Sequence, residues 1–270
     1  MALLLRTVRL LRPHMSLEPS HPPKIPTHFF RPSPLGSRTP LHIRFRSRLS
    51  RPKPNEPFSN NKGNNMLIIQ GMIGINTAVF LYGQYAEIQL KQGITKSMRW
   101  FRSNFFLNYN NFWYEQRYWT AITSNFTHLG FFHIFGNCIS FYFMSRLLAM
   151  TPKFMPRNLL TLIIGSGLSG SFFTLFRYGN DPQRAQKSSV GFSGAVSGVA
   201  ATAACMYPHT TFQLYGIIPM PLWVLVGGYF IYDGFYLNSR TSKISHEGHL
   251  GGGAFGLLYY LYKMRTGRWF

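Results

Sequence analysis

Acidic residues are scarce: seven Asp and Glu stand against 28 Lys and Arg, a formal charge of +21 over 270 residues. Charged residues of both signs make up only 13% of the chain, against a globular norm of about 25%. Cysteine is nearly absent. Cys138 and Cys205 both fall inside apolar stretches, with no C-x-x-C, which excludes a disulfide framework and a zinc site and leaves two buried thiols. The metal-hydrolase motif H-E-x-x-H is missing, because His246-Glu247-Gly248-His249 is one residue too short, so His246, His249 and His133 are not read as a metal set. The nucleophile elbow G-x-S-x-G of soluble hydrolases is missing too: Ala195 takes the place of its last glycine and no strand precedes it. The N-terminus has no 7–15-residue apolar run of the secretory kind. No metal and no cofactor are expected.

Twelve of the basic residues and two acids (Glu18, Glu56) lie in residues 1–65, leaving +11 spread over connections between apolar segments. A basic helix face and a recognised nucleic-acid motif are both lacking, so no nucleic-acid partner is expected. Arg6, Arg9 and Arg12 alternate with leucines as a short basic amphipathic helix. Arg-rich, acid-poor sequence broken by prolines follows to about Arg51. This is the composition of an organelle transit peptide; the early arginines favour the mitochondrion, with a chloroplast membrane as the alternative. Residues 1–65 are therefore read as a disordered leader and linker, with 54–65 the linker proper.

What the chain has in quantity is apolar sequence. A membrane helix needs about 20 mostly apolar residues. Six stretches meet or approach this: Met66–Ala86, His128–Met150, Asn158–Phe176, Val190–Tyr207, Tyr215–Tyr236 and His246–Lys263. The fold class expected is all-α, a six-transmembrane-helix bundle over residues 66–263 with a basic tail at 264–270 and no sheet, because an open sheet edge cannot be satisfied in lipid. Basic residues fall on both sides of the spans, so the positive-inside rule sets no orientation. Residues 100–127 read as an aromatic loop lying in the membrane interface, since half the positions from Trp100 to Trp119 are Trp, Tyr or Phe.

Polar residues inside such spans are costly and by default functional. His133 and Asn137 lie one helical turn apart near the start of the second span. Gly191-Phe192-Ser193-Gly194 opens the fourth, whose roughly 16 residues rise only ~24 Å against a ~30 Å hydrocarbon core. Ser193 is thereby expected in a recess below the surface. His246 and His249 open the sixth, ahead of a Gly252/Gly256 face that matches Gly194/Gly198 for close helix approach. Spans two, four and six run the same way, so all three sets share one depth. A hydroxyl becomes a nucleophile when a base takes its proton, and a neutral histidine can be that base. The oxyanion then needs fixed donors, for which His133, Asn137 and the Ser193 N–H are candidates. No acidic third member is evident, so a Ser193–His249 dyad is the economical assignment.

Gly191–Gly194, His133 with Asn137 four residues on, and His249-Leu250-Gly251-Gly252 together resemble the rhomboid family of intramembrane serine proteases. The resemblance covers Met66 to Tyr262. It implies Ser193 as nucleophile, His249 as general base, and His133, Asn137, Gly191 and Gly194 as oxyanion- or substrate-stabilising residues. It further implies single-span membrane proteins as substrates in the lipid bilayer, and the leader points to the mitochondrial inner-membrane members. The alternative is a family pseudoprotease that binds membrane segments without cutting, against which the intact Ser193 and His249 argue. A six-span transporter would show repeats, and residues 66–150 and 158–263 show none. Trp119-Thr120 departs from the Trp-Arg pair many members carry, Ser197 replaces a tyrosine found in some bacterial members, and His246 is left without a role.

Overall fold

In the computed structural model, residues 57–152, 154–214, 217–239, 242 and 244–267 are described. Residues 1–56, and with them most of the expected leader, lie outside this set. The chain is mostly helical: α1 (Pro57–Lys91), α2 (Lys96–Phe105), α3 (Tyr109–Trp113), α4 (Thr120–Thr123), α5 (Phe131–Ala149), α6 (Pro156–Gly179), α7 (Ser193–Met206), α8 (Leu222–Tyr236) and α9 (His246–Thr266). Among the described residues, two helices are long and apolar enough to cross a membrane, Asn61–Lys91 within α1 and all of α6.

Several boundaries differ from the sequence expectation. Residues 57–65 are the first turns of α1 rather than linker, and 264–266 continue α9 rather than starting a tail. The left-handed Gly267 (φ 60°) then ends α9, with its N–H returned to the helix, as glycine does at helix ends. The fifth apolar stretch does not begin its helix at Tyr215. Pro219 and Pro221 lie in β4 (Ile218–Pro221), which pairs antiparallel with β3 (Thr211–Leu214), and α8 starts only after the second proline. A second small sheet joins β1 (Leu107–Asn108) to β2 (Ser188–Ser189). The expectation of no sheet considered only edges in lipid; both ribbons lie in connections between long helices, where their edges need not meet hydrocarbon.

The 100–127 segment is likewise built rather than open, holding α2, α3, α4 and a 3₁₀ turn at Ser124–Phe126. Asn108 organises it. Its side-chain oxygen caps α3 by accepting from the N–H groups of Asn110 and Asn111, at 2.9 and 3.2 Å. Its amide nitrogen donates to the carbonyls of Ala185 and Lys187, at 2.9 and 2.7 Å. The connection ahead of α5 is thus tied to the one ahead of α7. In that second loop Asp181 is held below the usual carboxylate range, first by a hydrogen bond from Lys187 and then by the Gln183 N–H.

The core lies where α7 packs between α5, α6 and α9. Phe141, Leu148, Leu159, Leu162, Phe192 and Val199 are fully or almost fully buried there. Three of these helices meet on glycine. A Cβ on Gly170 of α6 would lie 2.7 Å from the Gly248 carbonyl of α9, and one on Gly198 of α7 would lie 2.7 Å from the Gly252 carbonyl. A Cβ on Gly252 would overlap the Gly194 carbonyl of α7. Small residues let backbones approach this closely. Gly252→Ala is expected to destabilise the fold by about 1–3 kcal/mol, the usual cost of overpacking, and to wedge α9 away from α7. A lowered thermal midpoint in detergent checks this; an unchanged midpoint would argue against the seam.

Candidate active site

Ser193 is the first residue of α7, and the first N–H groups of a helix have no partner within it. The turn that delivers it needs glycine: Gly191 has φ +132°, a conformation that residues with a side chain rarely adopt. Two contacts fix this turn. The Gly191 N–H donates to the Ser124 carbonyl at 2.9 Å, and the Phe192 N–H donates to His128 Nε2 at 3.3 Å. The bare face of Gly191 also makes room. A Cβ there would stand 3.0 Å from His133 Nε2 and 3.7 Å from Ser193 Oγ, so imidazole and hydroxyl converge on space that any larger residue would fill.

His249 sits in the first turn of α9, held at that depth by the glycine seam. Its Nε2 lies 2.8 Å from Ser193 Oγ. Its Nδ1 lies 3.1 Å from each carboxylate oxygen of Asp233, which α8 carries and which is buried. His246 Nδ1 lies 2.6 Å from the same carboxylate, at Oδ1. The expectation that no acid stands behind the histidine is therefore corrected. Glu247, next to the histidines in sequence, accepts from Ser245 Oγ instead, at 3.0 Å. Asp233 could have been found from the sequence: a lone ionisable residue in an apolar run is a functional candidate by default. What hid it was the connection between α8 and α9, which separates it by 16 positions from the histidine it meets.

Ser193, His249, His133, Asn137, Gly191 and Gly194 all line one cavity of about 330 Å³. Gly194 belongs equally to the helix seam, where a Cβ would lie 3.3 Å from the Gly248 carbonyl. Asn137 spends one amide hydrogen on the His133 carbonyl at 2.9 Å; an amide carries two. Ser197 is not among the lining residues. His128 adjoins the site: besides accepting the Phe192 N–H, its ring stands edge-on to His133 with centroids 4.8 Å apart.

A hydroxyl hydrogen-bonded to an imidazole, itself hydrogen-bonded to a buried carboxylate, is chemistry suited to deprotonating that hydroxyl. In this chain, helices packed on glycine hold such a set at one cavity. The chain belongs to the rhomboid family: the family's rhomboid-domain model matches residues 115–266. Among its relatives is the mitochondrial RHOMBOID-like protein 12 of Arabidopsis thaliana, 29% identical over 217 residues, covering 74% of this chain and 59% of that protein. The mitochondrial rhomboid protein 1 of Saccharomyces cerevisiae is 26% identical over 261 residues, covering 88% and 70%. An uncharacterised mitochondrial rhomboid protein of Schizosaccharomyces pombe is 25% identical over 202 residues, covering 55% and 51%. The chain thus spans between about half and seven-tenths of these relatives' lengths. It is a mitochondrial member of the family.

Proposed function

We propose that this chain is an intramembrane serine endopeptidase of the mitochondrial inner membrane, cutting single-span membrane proteins in or near the bilayer. The observation that carries the reading is the 2.8 Å contact between Ser193 Oγ and His249 Nε2 inside a cavity. Six long helices (α1, α5, α6, α7, α8 and α9) are the proposed spans. Supporting this, large apolar side chains face outward on them, with Phe132, Ile231 and Phe235 each more than three-quarters exposed. Surfaces of that kind need a partner or lipid. The Arg-rich leader fits delivery to the organelle.

In the proposed reaction Ser193 Oγ attacks the scissile carbonyl carbon as its proton passes to His249 Nε2. Asp233 keeps the His249 Nδ1–H in place and stabilises the imidazolium that forms. The oxyanion is met by His133, Asn137 and the Ser193 N–H. As the intermediate collapses, His249 returns the proton to the leaving amine and an acyl-serine remains. Water then attacks the ester, with His249 again taking and giving the proton. A substrate must be locally unwound to react, because a helical amide is enclosed by its own hydrogen bonds.

Removing one oxyanion donor typically costs about 10²–10³ in kcat. His133→Ala and Asn137→Ala are each expected to fall in that range with KM little changed, read from steady-state cleavage of a fluorogenic membrane-segment substrate. Labelling tests the central assignment. The detergent-purified chain should react with a fluorophosphonate and the Ser193→Ala variant should not; equal labelling of both would overturn the nucleophile.

A further inference from the structure

The mechanism above uses one of the two histidines that face Asp233. The other is held more closely, since His246 Nδ1 to Oδ1 is the shortest of the three contacts to this carboxylate. The His246 and Asp233 side chains are 2% and 6% exposed, so solvent takes little part in satisfying either. Tyr232 and Tyr236 of α8 enclose the His246 ring, with centroids 5.6 and 6.0 Å away.

The hydrogen bonds fix the tautomers. An ionised carboxylate only accepts, so both Nδ1 atoms donate to it and both Nε2 atoms are left as acceptors. His249 Nε2 takes the hydroxyl of Ser193, and His246 Nε2 lies 2.8 Å from the hydroxyl of Ser242. With Nδ1 protonated, the Ser242 hydroxyl donates to His246 Nε2, while its oxygen also accepts the Ile244 N–H at 3.2 Å. The result is a chain running Ser193–His249–Asp233–His246–Ser242, with the carboxylate at its centre. Asp233, His246 and His249 are also near enough to serve as ligands of one metal ion. That would require both Nδ1 atoms to face the ion as bare lone pairs, whereas the 2.6 Å between His246 Nδ1 and Asp233 Oδ1 is a hydrogen-bond separation, with the proton on Nδ1.

We propose that His246 is a positioning residue. It fixes the rotation of the Asp233 carboxylate and ties α8 to α9, so that an oxygen edge is always presented to His249 Nδ1–H. A carboxylate with a single donor could turn about its side-chain bonds and release His249 from the orientation that keeps Nε2 on Ser193. The catalytic consequence rests on the endopeptidase reading; the tautomer assignment does not.

Nitrogen-15 histidine NMR of the full chain in micelles, with assignment by substitution, is expected to show both His246 and His249 protonated at Nδ1. Replacing the ring by one without a donor, His246→Phe, should lower kcat about tenfold with KM unchanged, the low end of the 10–100-fold that outer-shell partners are worth at metal sites. His246→Asn places an amide N–H near the old Nδ1 and should recover activity to within about twofold of the parent. A wild-type His246 protonated at Nε2 overturns the proposal, as does an Asn variant no better than the Phe variant. Should the Phe variant fail to fold, the Asn variant and the wild-type spectrum decide. If Ser193→Ala cleaves as well as the parent, the endopeptidase reading fails, and the spectrum still decides the tautomer of His246.

Discussion

Cleavage by the Ser193→Ala variant is expected to fall by on the order of 10⁶ in kcat, the loss measured for a serine protease stripped of its nucleophile. The substitution removes one half-buried oxygen from the wall of a cavity and leaves the α7 backbone as it is. Alanine is the best helix former, so α7 should keep its structure. The thermal midpoint should therefore hold while activity goes. His249→Ala should cost nearly as much, and the double variant little more, because the two side chains act as one unit. Reconstituting each variant in liposomes with a single-span substrate and counting cleaved ends gives the comparison. A Ser193→Ala protein within tenfold of the parent would remove the nucleophile from the scheme.

The second large effect concerns Asp233. Asp233→Asn is isosteric, yet the asparagine can turn an N–H toward His249 Nδ1. That would drive the ring into the tautomer protonated at Nε2, which cannot accept the serine proton. In a soluble serine protease the corresponding change costs about 10⁴ in kcat. Here a loss of about 10²–10⁴ is expected, since an asparagine that keeps its oxygen toward the histidines preserves part of the arrangement. KM should stay close to the parent value. The measurement separates two schemes: with an unaided Ser193–His249 pair the substitution would leave kcat within a few-fold of the parent.

Much of this molecule is legible in its sequence for simple reasons. Apolar length marks the long helices, and polar residues inside apolar stretches pick out Ser193, His249, His133 and Asn137, which line one cavity. The glycine faces foretell which helices touch. The acid behind His249 was not legible in the same way. Asp233 and His249 lie on neighbouring helices that run in opposite directions, so counting turns along one helix says nothing of their meeting. Hydropathy also misplaced the start of α8. Tyr215 to Pro221 is apolar enough to belong to a helix, but two prolines two positions apart shape it as a ribbon. At the other end, the polar residues 57–65 read as linker, yet the structure continues α1 through them. Asn65, polar by composition, is fully buried there and donates to the Phe154 carbonyl at 2.8 Å. A polar residue with a buried partner looks like a loop residue until that partner is known.

The order of the reacting groups along the chain has a consequence for biogenesis. In the proposed reaction the hydroxyl is carried by α7, the carboxylate by α8 and the base by α9, the last helix described. A chain still being threaded through a translocation pore, with α7 released and α9 not yet docked, holds a serine that has no proton acceptor. On the proposed mechanism, reactivity would then begin only when α9 closes on its neighbours.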